Sequence, residues 1–237
     1  MTSRLPMQLP LGLKLRDEAT FDNYYAGPNA AIVRAVQALA DPQHTPTEPF
    51  VYLWGASGSG CSHLLQGACH QMTEAGGLAM YLPLRELLSY GPALLEGMEG
   101  VDLLCLDELD ALAGQPEWEE ALFHLYNRIQ QRQGRLLMGA AAAPRVVGFN
   151  LADLVSRLGW GLVYHLQRLD DDDKQQMLKL RAELRGLQLP DEVARYILSR
   201  GARGMNELFA ALEQLDQASL QAQHRLTIPF VKRVMGW

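Results

Sequence analysis

The chain has 237 residues, 48% hydrophobic and 20% charged, so it is long enough for one large or two small domains. Its formal net charge of −6 argues against a surface whose main role is to neutralise nucleic-acid phosphates. Its 3 cysteines have no paired spacing, which favours a reducing compartment. No apolar run approaches the roughly 20 residues that span a bilayer. We therefore expect a soluble, cytoplasmic protein with no membrane association.

The chain begins with a segment, residues 1–20, that is predicted to be an extended arm. Pro28 then marks the start of a helix with apolar residues at helical spacing. A proline-rich loop at 41–49 leads into an apolar strand at 50–54. A glycine loop and a helix at about 61–75 come next. Strands then alternate with helices: the strands are predicted near 78–82, 101–106, 135–140 and 161–166, and the helices near 84–90, 117–132 and 151–156.

This alternation predicts an α/β fold, with a parallel five-stranded sheet flanked by helices on both faces. From Asp170 onward the sequence carries only helix signals, which predict a small all-helical domain. We interpret the four aspartates at 170–173 as residues that cap the first of these helices rather than as a catalytic cluster. The predicted domains are therefore residues 21–167 and residues 168–237.

The stretch "GASGSGCS", Gly55 to Ser62, has the spacing of a phosphate-binding loop, G-x-x-x-x-G-K-[ST], with Cys61 in place of the lysine. A strand leads into the loop and a helix leads out. Backbone N–H groups and the helix N-terminus would form an anion cradle that needs no lysine. Ser62 stands where a magnesium ligand is expected. The alternative is a structural turn in which glycine only permits positive φ.

A second candidate is "LLCLDE", a buried strand followed by Asp107 and Glu108. Ligands of α/β proteins bind at the carboxyl ends of the strands, so Asp107 could hold the water shell of a metal and Glu108 could polarise an attacking water. The alternative is a solvated strand end. The cysteines and histidines at 61–70 lie along one predicted helix, and we interpret them as packing residues rather than metal ligands.

Two arginines stand near glycines: Arg157 in "VSRLGWG" and Arg203 in "GARGMNEL". Spacing alone does not distinguish them from solvated surface groups. However, the chain resembles the AAA+ module of the bacterial replication initiator DnaA. The resemblance rests on features that occur together and in the same order: the strand order, the glycine loop, "LDE", "SRLGWG", and "RG" at a late helix. Within that family the chain is most similar to the Hda proteins, in "SRLGWGLVYHLQRLDDDDK" and "LTIPFVKRVM". The resemblance covers essentially the whole chain.

The resemblance implies an AAA+ P-loop domain followed by a helical lid. It identifies Arg157 as an arginine finger that acts in trans and Arg203 as the sensor arginine of the lid. It implies bound ADP, with Mg²⁺ at Ser62 and Asp107. The segment "TFDNYYAGPN" resembles the segment beside the base pocket. The nucleotide-binding residues would then be Gly55, Ala56, Ser57, Gly58, Ser59, Gly60, Cys61, Ser62, His63, Asp107, Arg203, Phe21, Asn23 and Tyr24.

The arm contains "QLPLGL", which is similar to the short peptides that dock on the replicative sliding clamp. An extended apolar peptide on an arm can fill a preformed surface pocket. The clamp-binding residues would be Gln8, Leu9, Leu11 and Leu13. The resemblance further implies the initiator DnaA as a partner, association with the nucleoid, and a homodimer. The sequence ends after the helical lid, so we expect no helix-turn-helix domain and little direct sequence-specific DNA binding.

The function implied is negative regulation of replication initiation. The ADP-bound protein would dock on the DNA-loaded clamp and stimulate hydrolysis of the ATP held by DnaA. The chain departs from the family pattern at two places. Cys61 replaces the usual cation, and the stretch "GAAAAP" at 139–144 is apolar where AAA+ proteins place a polar sensor. Both departures disfavour self-hydrolysis. Two alternatives stay open. One is an autonomous ATPase that uses Asp107 and Glu108, and the other is a DNA-binding protein like the helicase loaders, with a basic strip at Arg195, Arg200, Arg203, Lys232 and Arg233.

Overall fold

The computed structural model describes residues 15, 19–201, 204–222 and 224–237. The predicted clamp-binding residues and Arg203 lie outside these residues. The chain divides into two compact units, the first formed by residues up to Phe21 together with Asn29–Gln167, and the second by Asp22–Pro28 and Arg168–Trp237. Residues 22–28, which the sequence assigned to the α/β domain, thus group with the helical unit.

The sheet of the first unit has five parallel strands in the order β2-β3-β4-β1-β5. This confirms the fold predicted from the alternating pattern. All strands of a parallel sheet run in the same direction, so the loops that follow the strands all lie at the carboxyl ends of the strands. We call this end of the sheet the carboxyl edge and the opposite end, where the strands begin, the amino edge. The strands are β1 (Phe50–Trp54), β2 (Ala79–Pro83), β3 (Leu103–Asp107), β4 (Arg135–Ala140) and β5 (Leu162–His165).

The helices of the first unit cover the sheet because alternate strand residues are apolar on both faces. Phe50, Tyr52 and Met138 belong to a core that also contains the buried leucines of α4 and α5. The intervening residues, such as Val51 and Leu53, are buried as well, and by alternation they face the opposite side. The helices are α1 (Ala30–Leu39), α2 (Cys61–Glu74), α3 (Leu84–Leu87), α4 (Pro116–Gln131) and α5 (Ala152–Leu158), with short 3₁₀ turns between some elements.

The second unit is helical and has its own core. Asp170 and Asp173 form a reciprocal capping box at the start of its first long helix, which confirms the capping role predicted for the aspartates. Tyr25 packs against this core and its hydroxyl donates to Asp173 Oδ1 over 3.3 Å, which explains why residues 22–28 group here. The helices are α6 (Asp171–Leu184), α7 (Asp191–Arg200), α8 (Met205–Ala222) and α9 (Ile228–Met235).

Among the residues described, none of the helices combines the length and the apolar character needed to cross a membrane.

Candidate functional site

The glycine loop follows β1 and leads directly into α2, which begins at Cys61. Gly58 and Gly60 have φ angles of +81° and +89°, a region that side chains rarely adopt. Gly55 is also constrained, because a Cβ there would lie 2.7 Å from Ser59 Oγ and 3.0 Å from the carbonyl oxygen of Leu166. The loop is therefore a tight turn at a helix N-terminus, the geometry that directs backbone N–H groups at an anion.

The thiol of Cys61 points toward the sheet. Its Sγ lies 3.9 Å from the carbonyl oxygen of Leu53, and a Cβ built on Gly139 of β4 would lie only 2.7 Å from it. Burial and the nearby Asp107 raise the pKa of the Cys61 thiol well above its usual value, so the thiol is neutral at physiological pH. The position that usually supplies a lysine cation is thus uncharged in this chain.

Asp107 ends β3 and is only 3% exposed. Its Oδ2 accepts a hydrogen bond of 2.7 Å from the Tyr81 hydroxyl, and its Oδ1 accepts one of 2.9 Å from the backbone N–H of Glu108. Burial and Asp107 itself raise the pKa of Tyr81, which keeps that hydroxyl a donor. A Cβ on Gly139 would lie 2.8 Å from Asp107 Oδ1, so Asp107 and Cys61 both face the space that a side chain at Gly139 would fill.

Glu108 turns away from its neighbour Asp107. Its backbone has a φ of +56°, and its Oε1 pairs with Arg85 Nε at 3.0 Å. The other arm of the Arg85 guanidinium reaches Asp110 Oδ2 at 2.8 Å. The hydrogen bond to Glu108 is the main reason that the pKa of Arg85 is raised. The carboxylate that the sequence offered as a general base is therefore engaged by a cation that sequence reasoning did not consider.

The segment after β4 has only methyl side chains at the positions where a polar sensor was sought. The backbone N–H of Ala141 donates to Asp110 Oδ1 over 3.0 Å, and the carbonyl oxygen of Ala142 accepts from the Tyr52 hydroxyl over 2.9 Å. These bonds hold the segment in place through its backbone. It contributes no side-chain donor to the carboxyl end of the sheet.

The other predicted site residues are distributed over both units. Ser62 is exposed on the first turn of α2, and His63 Nε2 lies 2.7 Å from the carbonyl oxygen of Thr20. Phe21 lies in the first unit, whereas Asn23 and Tyr24 lie in the second. Within the described ranges, no group of three or more His, Cys, Asp or Glu residues is arranged to hold a metal ion.

Arg157 lies at the other end of the sheet. It occupies the last turn of α5, and its guanidinium carbon is 4.1 Å from the centre of the Trp160 ring. Gly161 follows, and a Cβ at that position would clash with the carbonyl oxygen of Phe50, the first residue of β1. β5 then pairs with β1 from Val51 opposite Leu162 onward. Trp160 and Arg157 are thereby fixed near the amino end of β1.

The glycine loop and Arg157 are therefore separated by the length of β1. Gly55 follows the last residue of β1, and Gly161 contacts its first residue. Four residue steps along a parallel strand span about 13 Å. The direction of the strands thus places the glycine loop and Arg157 at opposite edges of one sheet.

Glu119 on α4 holds the start of the helix that carries Arg157. The side chain is 1% exposed, and its carboxyl oxygens accept hydrogen bonds from the backbone N–H groups of Gly114, Asn150 and Leu151 over 2.7–2.8 Å. α5 begins directly after Leu151. Sequence reasoning missed this residue, because an acidic side chain in a first helical turn is ordinarily explained by the helix dipole alone.

Comparison with protein families gives two matches that lie side by side. Residues 92–165 match the ATPase domain of bacterial DnaA, and residues 171–235 match the lid domain of Hda. The fold is similar to that of domain III of the replication initiation protein DnaA from Thermotoga maritima, with a TM-score of 0.78, 21% identity, and coverage of 94% of this chain and 98% of that one.

Other solved structures have the same fold. AMPPCP-bound DnaA from Aquifex aeolicus gives a TM-score of 0.72 at 21% identity, covering 89% of this chain and 69% of that one. The RuvB Holliday junction branch migration motor of Thermotoga maritima gives 0.59 at 18% identity, covering 89% and 68%. The parallel sheet, the glycine loop and the helical lid define a protein of the AAA+ class. Within that class the chain is a DnaA-related protein with a lid of the Hda type.

Proposed function

We propose that the protein is a negative regulator of replication initiation that lends Arg157 to ATP bound by the initiator DnaA. In this proposal the protein carries ADP and docks on the DNA-loaded sliding clamp through Gln8, Leu9, Leu11 and Leu13 of its arm. Hydrolysis then takes place on the initiator. The matches to a DnaA ATPase domain and an Hda lid support the link to replication.

The observation that carries the proposal is the separation of Arg157 from the chain's own glycine loop. The loop follows the last residue of β1, the turn after Arg157 contacts the first residue of β1, and the strand between them spans about 13 Å. A guanidinium that stabilises a transferred phosphoryl group must contact that group directly. Arg157 is therefore suited to a nucleotide held by a second molecule rather than to one in its own loop.

The residues around the chain's own glycine loop also support a role in which hydrolysis takes place on the initiator and not on this protein. Cys61 supplies no cation, Ala141–Ala143 supply no sensor, and Glu108 is paired with Arg85. The loss of one charge-assisted contact costs about 1.5–3 kcal/mol, and it falls on the terminal phosphates that a lysine would contact. The backbone of residues 55–62 can still hold a diphosphate. In that role the ADP would be a structural part of the protein.

The residues present also fit a hydrated magnesium ion beside the diphosphate. Ser62 presents its hydroxyl on the exposed first turn of α2, and Asp107 keeps lone pairs beyond the two hydrogen bonds that it accepts. Hydroxyl and carboxylate oxygens are ligands that Mg²⁺ prefers. Mg²⁺ bound there would neutralise part of the phosphate charge.

A second candidate function, DNA binding in the manner of helicase loaders, has one supporting observation. Arg195, Arg200, Lys232 and Arg233 are all exposed on α7 and α9 of the helical unit. Binding through these residues would weaken steeply with salt. Binding of duplex or single-stranded DNA that falls at least tenfold in affinity between 50 and 200 mM salt, roughly as two phosphate contacts require, would favour this function.

The proposal is tested by phosphate release from ATP in three mixtures: this protein alone, ATP-loaded initiator alone, and both with DNA-loaded clamp. We expect turnover that depends on the complete mixture, and a loss of about 10³-fold or more when Arg157→Ala is used. Arg145→Ala, at an exposed arginine of the same unit, is the matched control. Deletion of residues 8–13 should remove the dependence on the clamp. Stimulation by Arg157→Ala at the wild-type rate would refute the assignment.

A further inference from the structure

We propose that Trp160 is a positioning residue for Arg157: its indole ring holds the guanidinium in the orientation needed by a neighbouring phosphate without consuming the hydrogen-bond donors. This inference rests on the proposed function, because it assigns the second residue of that site. It is carried by the geometry of the turn that joins α5 to β5.

The turn is short and its hydrogen bonding is defined. The backbone N–H of Trp160 donates to the carbonyl oxygen of Arg157 over 3.1 Å, so the chain reverses within three residues. The reversal brings the indole ring beneath the guanidinium, with 4.1 Å between the ring centre and the guanidinium carbon. A separation of this size is well within the range of cation–π contacts.

Both sides of Trp160 are anchored to the sheet. Leu158, two residues before it, is 1% exposed in the core, and Gly161, directly after it, fits against the backbone of Phe50. Leu162 then enters the ladder with β1. The backbone that carries the ring therefore has little freedom, which restricts where the ring can lie.

Trp160 is nevertheless 60% exposed, so the core does not require it. A large aromatic side chain that is carried on a constrained backbone and left open to solvent is typical of binding sites rather than of folding cores. The guanidinium of Arg157 is the polar group in contact with its face. The exposure and the stacking together point to a role when a second molecule covers this surface.

The choice of partner for Arg157 has a chemical consequence. In the described part of the chain, none of the ion pairs involves Arg157. A carboxylate partner would neutralise the cation and occupy its N–H donors, and that pair would have to break before the arginine reached a phosphate. An aromatic face contacts the plane of the guanidinium and leaves its five N–H groups directed outward.

The attraction between Trp160 and Arg157 should also increase when a partner covers the two residues. Cation–π attraction is weak at exposed sites and grows several-fold once solvent is excluded. A partner that covers Trp160 would therefore tighten the hold on Arg157 at the stage when its position matters. Misplacement of a catalytic group by about 1 Å can cost on the order of a hundredfold in rate.

The stack itself is tested in the isolated full-length protein by NMR of the Arg157 side chain. We expect its Nε–H resonance to be shifted upfield by the ring current of Trp160. The shift should disappear in Trp160→Leu and be partly retained in Trp160→Phe. Tyr90→Leu, which also replaces an exposed aromatic side chain by leucine, at a residue that is 48% exposed and distant in sequence, is the control and should leave the resonance unmoved. An Arg157 resonance that does not respond to Trp160→Leu would overturn the proposal.

The role is tested by the rate of initiator-bound ATP hydrolysis in the complete mixture, as a function of the concentration of this protein. For Trp160→Leu we expect the maximal rate to fall about tenfold, while the half-saturating concentration changes less than about threefold. Trp160→Phe should recover the rate to within about threefold. A raised half-saturating concentration at an unchanged maximal rate would make Trp160 a docking residue and overturn the positioning role.

The Arg157→Ala variant separates the two proposals. If Arg157→Ala abolishes stimulation but Trp160→Leu keeps the wild-type maximal rate, the positioning role is wrong and the proposed function stands. If Arg157→Ala keeps full stimulation, the proposed function fails and the role of Trp160 fails with it.

Discussion

The two edges of the parallel sheet differ in what their polar residues contact. The carboxyl edge has the glycine loop and Asp107, but a neutral thiol replaces its cation and Arg85 engages its second carboxylate. The amino edge presents Arg157 on an aromatic support, free of carboxylates among the described residues. Under the proposed function, the difference teaches that a fold can keep an arginine that acts on a partner's nucleotide although its own loop lacks a cation.

The largest effect is expected from Glu119→Ala, because Glu119 holds the start of α5, the helix whose last turn carries Arg157 to the amino edge. The change leaves three backbone N–H groups without their acceptor in a buried place. We expect a loss of about 3–5 kcal/mol in the free energy of unfolding, measured by urea denaturation. Glu120→Ala, one residue later with a side chain that is 73% exposed, should change it by less than about 0.5 kcal/mol. Equal stability of the two variants would contradict the role of Glu119 in holding α5.

Gly161→Ala is expected to disturb the amino edge itself, and more locally. The added Cβ meets the backbone of Phe50, which cannot rotate away as a side chain could. We expect a loss of about 2–3 kcal/mol in the free energy of unfolding, by analogy with overpacked cores. The matched variant is Gly159→Ala, whose Cβ would keep ordinary contacts of 3.6 Å. If Gly161→Ala is as stable as Gly159→Ala, β5 is not fixed at Phe50 as we describe.

The sharpest change at the carboxyl edge is Cys61→Lys. A cation restored to the loop should raise the affinity for ATP by about 10- to 100-fold, with a smaller gain for ADP, in calorimetric titrations. We expect no matching gain in self-hydrolysis, because Ala141–Ala143 still supply no sensor. Cys61→Ala removes the thiol without adding charge and serves as the control. A similar gain in ATP affinity for Cys61→Ala would mean that crowding by the thiol, and not the missing charge, limits binding.

The smallest effect is expected from Arg85→Ala. Its side chain is 56% exposed, and exposed ion pairs contribute about 0–1 kcal/mol, so stability should change by no more than that. The variant frees Glu108, and we expect self-hydrolysis of ATP to stay at the background of the wild-type protein. Arg132→Ala, another exposed arginine, is the control. Appreciable ATP hydrolysis by Arg85→Ala alone would show that the chain's own site can hydrolyse ATP and that the pairing of Arg85 with Glu108 suppresses this activity.

The sequence predicted the fold because its strands are continuous apolar runs and its turns are marked by glycine and proline. The strand bounds moved by only one or two residues, as at β2, which runs from Ala79 to Pro83. The capping role of Asp170 and Asp173 was also predictable, since capping depends on local sequence.

Contacts between residues distant in sequence were not predictable in the same way. The pairing of Arg85 with Glu108 spans 23 residues, and that of Tyr81 with Asp107 spans 26. Neither has a local spacing signal, because each depends on which strands become neighbours. The grouping of residues 22–28 with the helical unit has the same origin, since Tyr25 reaches Asp173 across 148 residues.

Asn29 gives a further example of such a long-range contact. Its side-chain amide is 1% exposed and makes two hydrogen bonds with the backbone of Gln167, donating to the carbonyl oxygen over 2.9 Å and accepting from the N–H over 2.8 Å. These two residues stand next to two of the points at which the chain passes between its units. From the sequence alone, Asn29 was only part of a motif that resembled a base pocket.

The most direct test of the central claim is to ask which nucleotide loses its terminal phosphate. ATP labelled at the γ-phosphate is loaded either on the initiator or on this protein, the other carries unlabelled nucleotide, and released phosphate is counted in the mixture with DNA-loaded clamp. The account predicts release from the initiator-bound label only, and its loss with Arg157→Ala. Comparable release from label carried by this protein would contradict the account, because its own site would then be an active ATPase.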